Sequence, residues 1–112
     1  MNPQTPKNIS SNDLRAWLDG EGAKPQIVDV RESEELAIAS FSLPVLHLPL
    51  SQFSEWIEKL PSTLVKKQPV VVICHSGIRS WNFANWLIEN DLSNEVWNLE
   101  GGIDAWSVNV DP

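Results

Sequence analysis

The chain has a single cysteine, no tyrosine, one methionine and two histidines in 112 residues. One cysteine excludes an intramolecular disulfide framework. No apolar run comes near the roughly 20 residues that a membrane-crossing helix needs; the longest, Val70 to Cys74, has the length of a strand. Met1 to Ser10 is polar and holds two prolines, so it lacks the apolar stretch of a secretory leader. Basic residues are also scarce. Eight Lys and Arg stand against 15 Asp and Glu, for a net charge of -7, and only Lys66 and Lys67 are adjacent. Nucleic-acid binding needs a clustered basic footprint, which is missing. With no second cysteine, no His-x-x-His pair and no carboxylate cluster, a metal site is not expected. The expectation is a soluble protein of a reducing compartment, the cytoplasm, with neither membrane nor nucleic acid as partner.

What is present suits one domain: a chain this long buries roughly two-thirds of the surface that its unfolded form exposes. Residues 1–6 read as a polar tail and 7–112 as the domain, with a short strand around Lys7 to Ile9. Ser10 to Asp13 offers N-caps for a helix whose Leu14, Trp17 and Leu18 share one face and which Gly20 and Gly22 end. Gln26 to Val30 is a β-branched run, predicted as a buried strand. A helix is predicted from Arg31 to Ala39, acidic at its front as a helix N-terminus prefers. Leu43 to Leu50, with two prolines, suits a short extended segment. Ser51 is placed to cap a helix holding Phe53, Trp56, Ile57 and Leu60, with Pro61 beyond its end. Pro69 to Cys74 is the strongest strand signal, and its unbroken apolar run implies burial on both faces. A loop from His75, a helix over Arg79 to Asn90, a strand over Glu95 to Leu99, a Gly101-Gly102 turn and a last helical turn at Ile103 to Trp106 complete the chain. Strands alternating with helices define an α/β domain with a mainly parallel sheet.

The informative stretch is Cys74-His75-Ser76-Gly77-Ile78-Arg79-Ser80, between the most buried strand and a helix start. Ligands of open α/β sheets bind at the carboxyl ends of strands, and helix N-termini offer free N–H groups to anions. Cysteines so placed reach pKa values of about 3.5 to 7.5, against about 8.5 for the free side chain. Gly77 lets the loop curl so that successive N–H groups point inward as an anion nest. Arg79 is placed to give a charge-assisted hydrogen bond to a bound oxyanion. The bland alternative is a buried structural cysteine followed by an ordinary turn. Spacing separates two chemistries: a Cys-x5-Arg phosphatase loop has five intervening residues, whereas this loop has four, His75 to Ile78. The smaller ring of N–H groups suits one extra atom on the sulfur better than a phosphoryl group.

Four motifs together resemble the single-domain rhodaneses, which are thiosulfate- or persulfide-dependent sulfurtransferases. They are Ile-Val-Asp-Val-Arg at 27–31, Leu-Pro-Leu at 48–50, Cys-His-Ser-Gly-Ile-Arg-Ser at 74–80 and Leu-Glu-Gly-Gly-Ile-Asp-Ala-Trp at 99–106. The similar parts run from about Ile9 to Trp106. The resemblance implies a central, mainly parallel five-stranded sheet flanked by helices on both faces. It also implies that Cys74 is the catalytic residue, that it takes a sulfane sulfur to become a persulfide, and that it passes this sulfur to a thiol or cyanide. The partners implied are a small anionic sulfur donor and a thiol or protein acceptor, with no cofactor. The chain departs from the family where Gly-His-Ile-x-Gly-Ala is common: Ala39 to Val45 has neither Gly nor His, and a different backbone is expected there. His75 stands where many members have a second basic residue, leaving Arg79 as the one fixed positive charge of the loop.

Other residues divide between structure and site. Asp29 and Arg31 read as a strand-end pair tying loops together; the sharper alternative has Arg31 adding positive potential to the pocket. His47 reads as a satisfied structural histidine. Ser76 and Ser80 read as hydroxyl donors to the cysteine's anion, since no matching His and Asp arrangement makes them nucleophiles. Of six tryptophans, Trp17, Trp56, Trp97 and Trp106 fall at core positions. Trp81 lies off the Phe83/Ala84/Leu87 face, as a packing residue or as a wall of the substrate pocket. The competing functions are a non-enzymatic or redox-sensing binding module and a Cys-loop phosphatase or arsenate reductase.

Overall fold

Val70–Ile73 is buried along its whole length, and the sheet is built outward from it. The structure is a computed structural model and describes residues 5–39, 41 and 44–110. Strands β1 (Lys7–Ile9), β2 (Gln26–Asp29), β3 (Leu46–His47), β4 (Val70–Ile73) and β5 (Val96–Leu99) form a five-stranded sheet in the order β1-β5-β4-β2-β3. Every pairing in it is parallel. Such a sheet requires crossover connections that cover both faces. Helices α1 (Ser11–Asp19) and α6 (Gly102–Asn109) contact each other beside one face, where Val71 and Ile73 pack with Leu14, Ile103 and Trp106. Helix α5 (Ile78–Glu89) lies on the other face, where Val70, Val72 and Cys74 pack with Phe83, Ala84 and Leu87. The strand's alternation thus divides its residues between two cores, and it turns Cys74 toward α5.

The sequence expectations hold for most elements. The predicted strand at the start of the chain is β1, paired in register with β5. Ser10 caps α1 by accepting a hydrogen bond from the Asp13 N–H. Helix α2 (Ser33–Ile38) starts two residues later than predicted, because Glu32 is its N-cap and forms a capping box with Glu35. The extended segment that follows α2 reaches the sheet as β3, a short edge strand flanked by its prolines. Ser40, Ser42 and Leu43, part of the divergent Ala39–Val45 stretch, lie outside the described residues, as do Met1 to Gln4 and Asp111 and Pro112.

Two expectations fail around Ser51 and Pro61. Instead of one helix ending before Pro61, the chain forms a 3-10 turn at Leu50–Gln52, α3 (Phe53–Trp56), another 3-10 turn at Ile57–Lys59 and α4 (Leu60–Thr63). Pro61 occupies the first turn of α4, where its missing N–H has no helical partner to lose. Pro49, not Ser51, precedes the first turn, and the Ser51 hydroxyl bonds the Glu32 carboxylate instead. The final helix runs past Trp106 to Asn109. Among the tryptophans assigned to the core, only Trp106 is fully buried; Trp17, Trp56 and Trp97 are half-buried. Trp17 and Trp97 meet edge to face at 6.1 Å.

The end of β4 is tied to the start of α6. The Ile103 N–H donates to the Cys74 carbonyl at 2.9 Å, and the Asp104 N–H to the His75 carbonyl at 3.1 Å. These are first-turn N–H groups with no partner inside their own helix. The approach depends on Gly102, whose φ is +59°. A Cβ there would lie 2.4 Å from the Cys74 carbonyl oxygen and 2.5 Å from that of His75. Gly102→Ala combines this clash with a left-handed backbone, and should lower stability by more than about 3 kcal/mol. Urea unfolding of the variant checks this; a loss under about 1 kcal/mol would mean that the helix start shifts freely.

Candidate active site

Cys74 is 1% exposed, at the carboxyl end of the central strand. Gly77, at φ +102°, turns the chain into α5 as its N-cap residue. Its N–H points to Cys74 Sγ at 3.0 Å, and the Ser80 N–H approaches the same sulfur at 3.3 Å. The Ser80 N–H belongs to the first turn of α5, so the sulfur accepts a hydrogen bond that the helix itself cannot. Ser80 Oγ lies 3.1 Å from Sγ and also bonds the Asn98 carboxamide oxygen. Asn98 in turn donates to the Asn8 side-chain oxygen at 3.1 Å. A serine hydroxyl has one proton, so it serves one of these two acceptors at a time. When the sulfur is a thiol, S–H donates to Ser80 Oγ and the hydroxyl donates to Asn98. When the sulfur is an anion, the hydroxyl turns to it.

The rest of the loop serves other purposes. Ser76, expected as a second hydroxyl donor, is exposed and makes no hydrogen bond to the sulfur among the described residues. Ile78 projects into solvent at 70% exposure. His75 is exposed, with Nε2 3.2 Å from Asp104 Oδ2. Arg79 differs most from expectation. Both of its terminal nitrogens donate to the Glu35 carboxylate at 2.7 Å, a bidentate pair that matches its charge. It is therefore no free cation over the sulfur. The Arg79 hydrogen bonds, opposed by the cost of burial, hold the Glu35 carboxyl at about 2, and Glu35 raises the Arg79 guanidinium above its ordinary value. Glu35 also accepts the Glu32 N–H at 3.0 Å, so the capping box of α2 aims its carboxylate.

Arg31 follows its structural reading. It is 1% exposed and paired with the Asp29 carboxylate at 2.8 Å, and it donates to the Ala39 carbonyl at 2.6 Å. His47 Nε2 lies 2.6 Å from the Arg31 carbonyl oxygen, a satisfied position. A cavity of about 490 Å³ opens at the carboxyl ends of β2 and β4, bordered by His75, Ser76 and Arg79 of the loop and by Arg31 and Glu35. Trp81 is not part of it. It borders a separate depression of about 300 Å³ beyond Gly77 and Ile78, with Asn8 and Asn98. Among the described residues no His, Cys, Asp or Glu cluster could hold a metal ion, and no helix is long and apolar enough to cross a membrane.

Sequence reasoning missed Glu35, Asn98 and Asp104. Glu35 had a signal only as a capping-box member, because its pairing with Arg79 spans 44 positions. Asn98 had a clearer one: a carboxamide inside an otherwise apolar strand needs a buried partner.

The site is thus defined by a parallel α/β domain that closes a cysteine-bearing loop onto a helix N-terminus, with two backbone amides on the sulfur. The Rhodanese-like domain family matches residues 10–109. A chloroplast rhodanese-like/PpiC domain-containing protein 12 of Arabidopsis thaliana is 42% identical over 88 residues, 78% of this chain but 28% of that protein. The chain thus spans under a third of that relative's length. A thiosulfate sulfurtransferase, GlpE, of Coxiella burnetii is 35% identical over 96 residues, 83% of this chain and 81% of its own. The crystal structure of a rhodanese-related protein of Thermoplasma volcanium superposes with a TM-score of 0.74 at 27% identity, covering 95% of each chain. The chain belongs to the rhodanese-like family.

The Arg79–Glu35 pair makes stability depend on acid. The Glu35 carboxyl is lowered from 4.5 to about 2 in the folded state, so its contribution is complete above pH 4.5 and is lost as pH falls toward 2. Urea midpoints for wild type should fall across that window, and Glu35→Gln should flatten the slope there. Equal slopes for the two proteins would show that the pair does not link protonation to folding.

Proposed function

We propose that this chain is a rhodanese-type sulfurtransferase that carries sulfane sulfur on Cys74. The observation that carries this reading is the convergence of the Gly77 and Ser80 N–H groups on a sulfur at a strand end. Family membership and a relative named thiosulfate sulfurtransferase support it. In the first half-reaction the Cys74 thiolate attacks the sulfane sulfur of a small donor such as thiosulfate or a persulfide. The donor's S–S bond breaks and its remainder, sulfite or a thiolate, departs with the electron pair. The new Cys74 persulfide bears its charge on the terminal sulfur, where the backbone N–H groups of residues 75–80 act as an oxyanion hole acts in acyl transfer. In the second half-reaction a thiol, small or borne by a protein, or cyanide removes that sulfur. Cys74 is the one cysteine in these 112 residues, so the persulfide has no second thiol among them with which to close a disulfide.

The four-residue spacing from Cys74 to Arg79 weighs against phosphoryl or arsenate chemistry, and so does the guanidinium's engagement with Glu35. Incubation with a sulfane-sulfur donor followed by intact-protein mass spectrometry tests the reading. Wild type should gain the mass of one sulfur atom and lose it to cyanide. Cys74→Ser should gain nothing, with stability within about 1–2 kcal/mol of wild type, because the change in volume is small. Sulfur gain by the serine variant, or none by wild type with any donor, would refute the assignment.

A further inference from the structure

Ser80 and Asn98 share a hydrogen bond that the transfer chemistry does not call on. Both side chains are buried beside the buried Cys74. The Ser80 hydroxyl donates to the Asn98 carboxamide oxygen, and its own oxygen stands 3.1 Å from Cys74 Sγ. Asn98 donates in turn to the Asn8 side-chain oxygen at 3.1 Å. The register of β1 against β5 sets Asn8 opposite Asn98, so their side chains share one face of the sheet. The carboxamide of Asn98 therefore has a direction: its N–H points outward to Asn8 and its oxygen inward to Ser80.

The two ends of this chain of hydrogen bonds differ. Asn8 is exposed, and water can replace it. The inner oxygen of Asn98 is buried and accepts no other hydrogen bond among the described residues. When Cys74 ionises, the single Ser80 proton has two claimants. Given to the sulfur, it leaves Asn98 Oδ1 unpaired, and a buried unpaired acceptor is costly. Kept by Asn98, it leaves the anion with the Gly77 and Ser80 N–H groups alone. Either way the carboxamide works against the empty, anionic site. In the persulfide the conflict ends, because the charge lies on the outer sulfur and the hydroxyl returns to Asn98.

We infer that Asn98 is a positioning residue that competes with the Cys74 anion for the Ser80 proton. It biases the empty site toward the thiol and favours the sulfur-loaded anion over the empty one. The second consequence rests on the sulfurtransferase reading; the competition itself is a property of the thiol.

The test is a double-mutant cycle on the full chain, read by the pH profile of Cys74 alkylation with iodoacetamide. The thiolate is the reacting form, so below the plateau of the profile the rate follows the anionic fraction. Asn98→Leu frees the hydroxyl for the sulfur and should raise the rate there about three- to tenfold. Asn98→Asp keeps the shape but accepts at both oxygens, and should lower it. In a Ser80→Ala background there is no proton to contest, and Asn98→Leu should change the rate by less than about twofold. The charged groups around the loop stay the same in the leucine cycle: Arg79 of α5, Glu32 and Glu35 at the start of α2, His75, Asp104 of α6 and the Asp29–Arg31 pair. At a pH on the plateau, Asn98→Leu should also lower the persulfide yield in equilibrium with thiosulfate and sulfite, again about three- to tenfold.

A leucine gain that persists without Ser80, leucine and aspartate shifts in the same direction, or no shift from leucine overturns the inference. So does an unchanged persulfide yield when wild type loads. If urea unfolding shows that the leucine variant does not fold, the aspartate variant decides alone, and a rate at or above wild type overturns the inference. If wild type takes up no sulfur, the sulfurtransferase reading fails, while the alkylation cycle still judges the competition.

Discussion

The site depends on one helix start. The first-turn amides of α6 hold the carbonyls of Cys74 and His75, and Gly102 is the residue that lets the helix come so close. With the strand end fixed in this way, the chain turns at Gly77 and delivers its N–H and that of Ser80 to the sulfur. Two helix N-termini therefore act on one strand end from different directions. That of α6 grips the carbonyls, and that of α5 faces the thiol. Neither needs a charged side chain, which suits a molecule with few basic residues.

Charge around the cavity is matched residue by residue. A buried Arg–Asp pair contributes little net stability compared with apolar packing, but leaving either partner alone is costly. The Asp29–Arg31 pair thus fixes the path of the chain after β2, where Ala39 and His47 also bond to Arg31. The Glu35–Arg79 pair joins α2 to α5 across the cavity mouth. Both arginines that a sequence reader would give to anion binding hold protein carboxylates instead.

The fold was largely legible because its signals are local. The β-branched run at 70–73, the cap at Ser10 and the Gly101-Gly102 turn each follow from neighbouring residues. The candidate nucleophile and its two amide donors were legible too, since the loop is contiguous in sequence. What could not be read was the partner of each side chain. Arg79 was read as an anion's ligand because nothing in the loop shows that Glu35, on a different helix, reaches it. The helix around Pro61 was misjudged because a proline that stops one helix also opens the next, and only packing decides which. Trp81, read as a packing residue or as a pocket wall, borders the smaller depression beside Gly77 and Ile78 rather than the larger cavity.

The pairing of β1 with β5 joins Lys7–Ile9 to Trp97–Leu99, and the Asn8–Asn98 hydrogen bond spans 90 positions. Contacts between distant parts of a chain form late, after the entropy of closing a long loop has been overcome. During synthesis the first strand therefore waits for the last one to leave the ribosome, with one edge of β4 unpaired in the meantime. The helix start that grips the Cys74 carbonyl emerges only after that. The sulfur thus enters its full hydrogen-bonded setting only once α6 has emerged, so a nascent chain that stops short of it exposes a cysteine without the surroundings that would direct its chemistry.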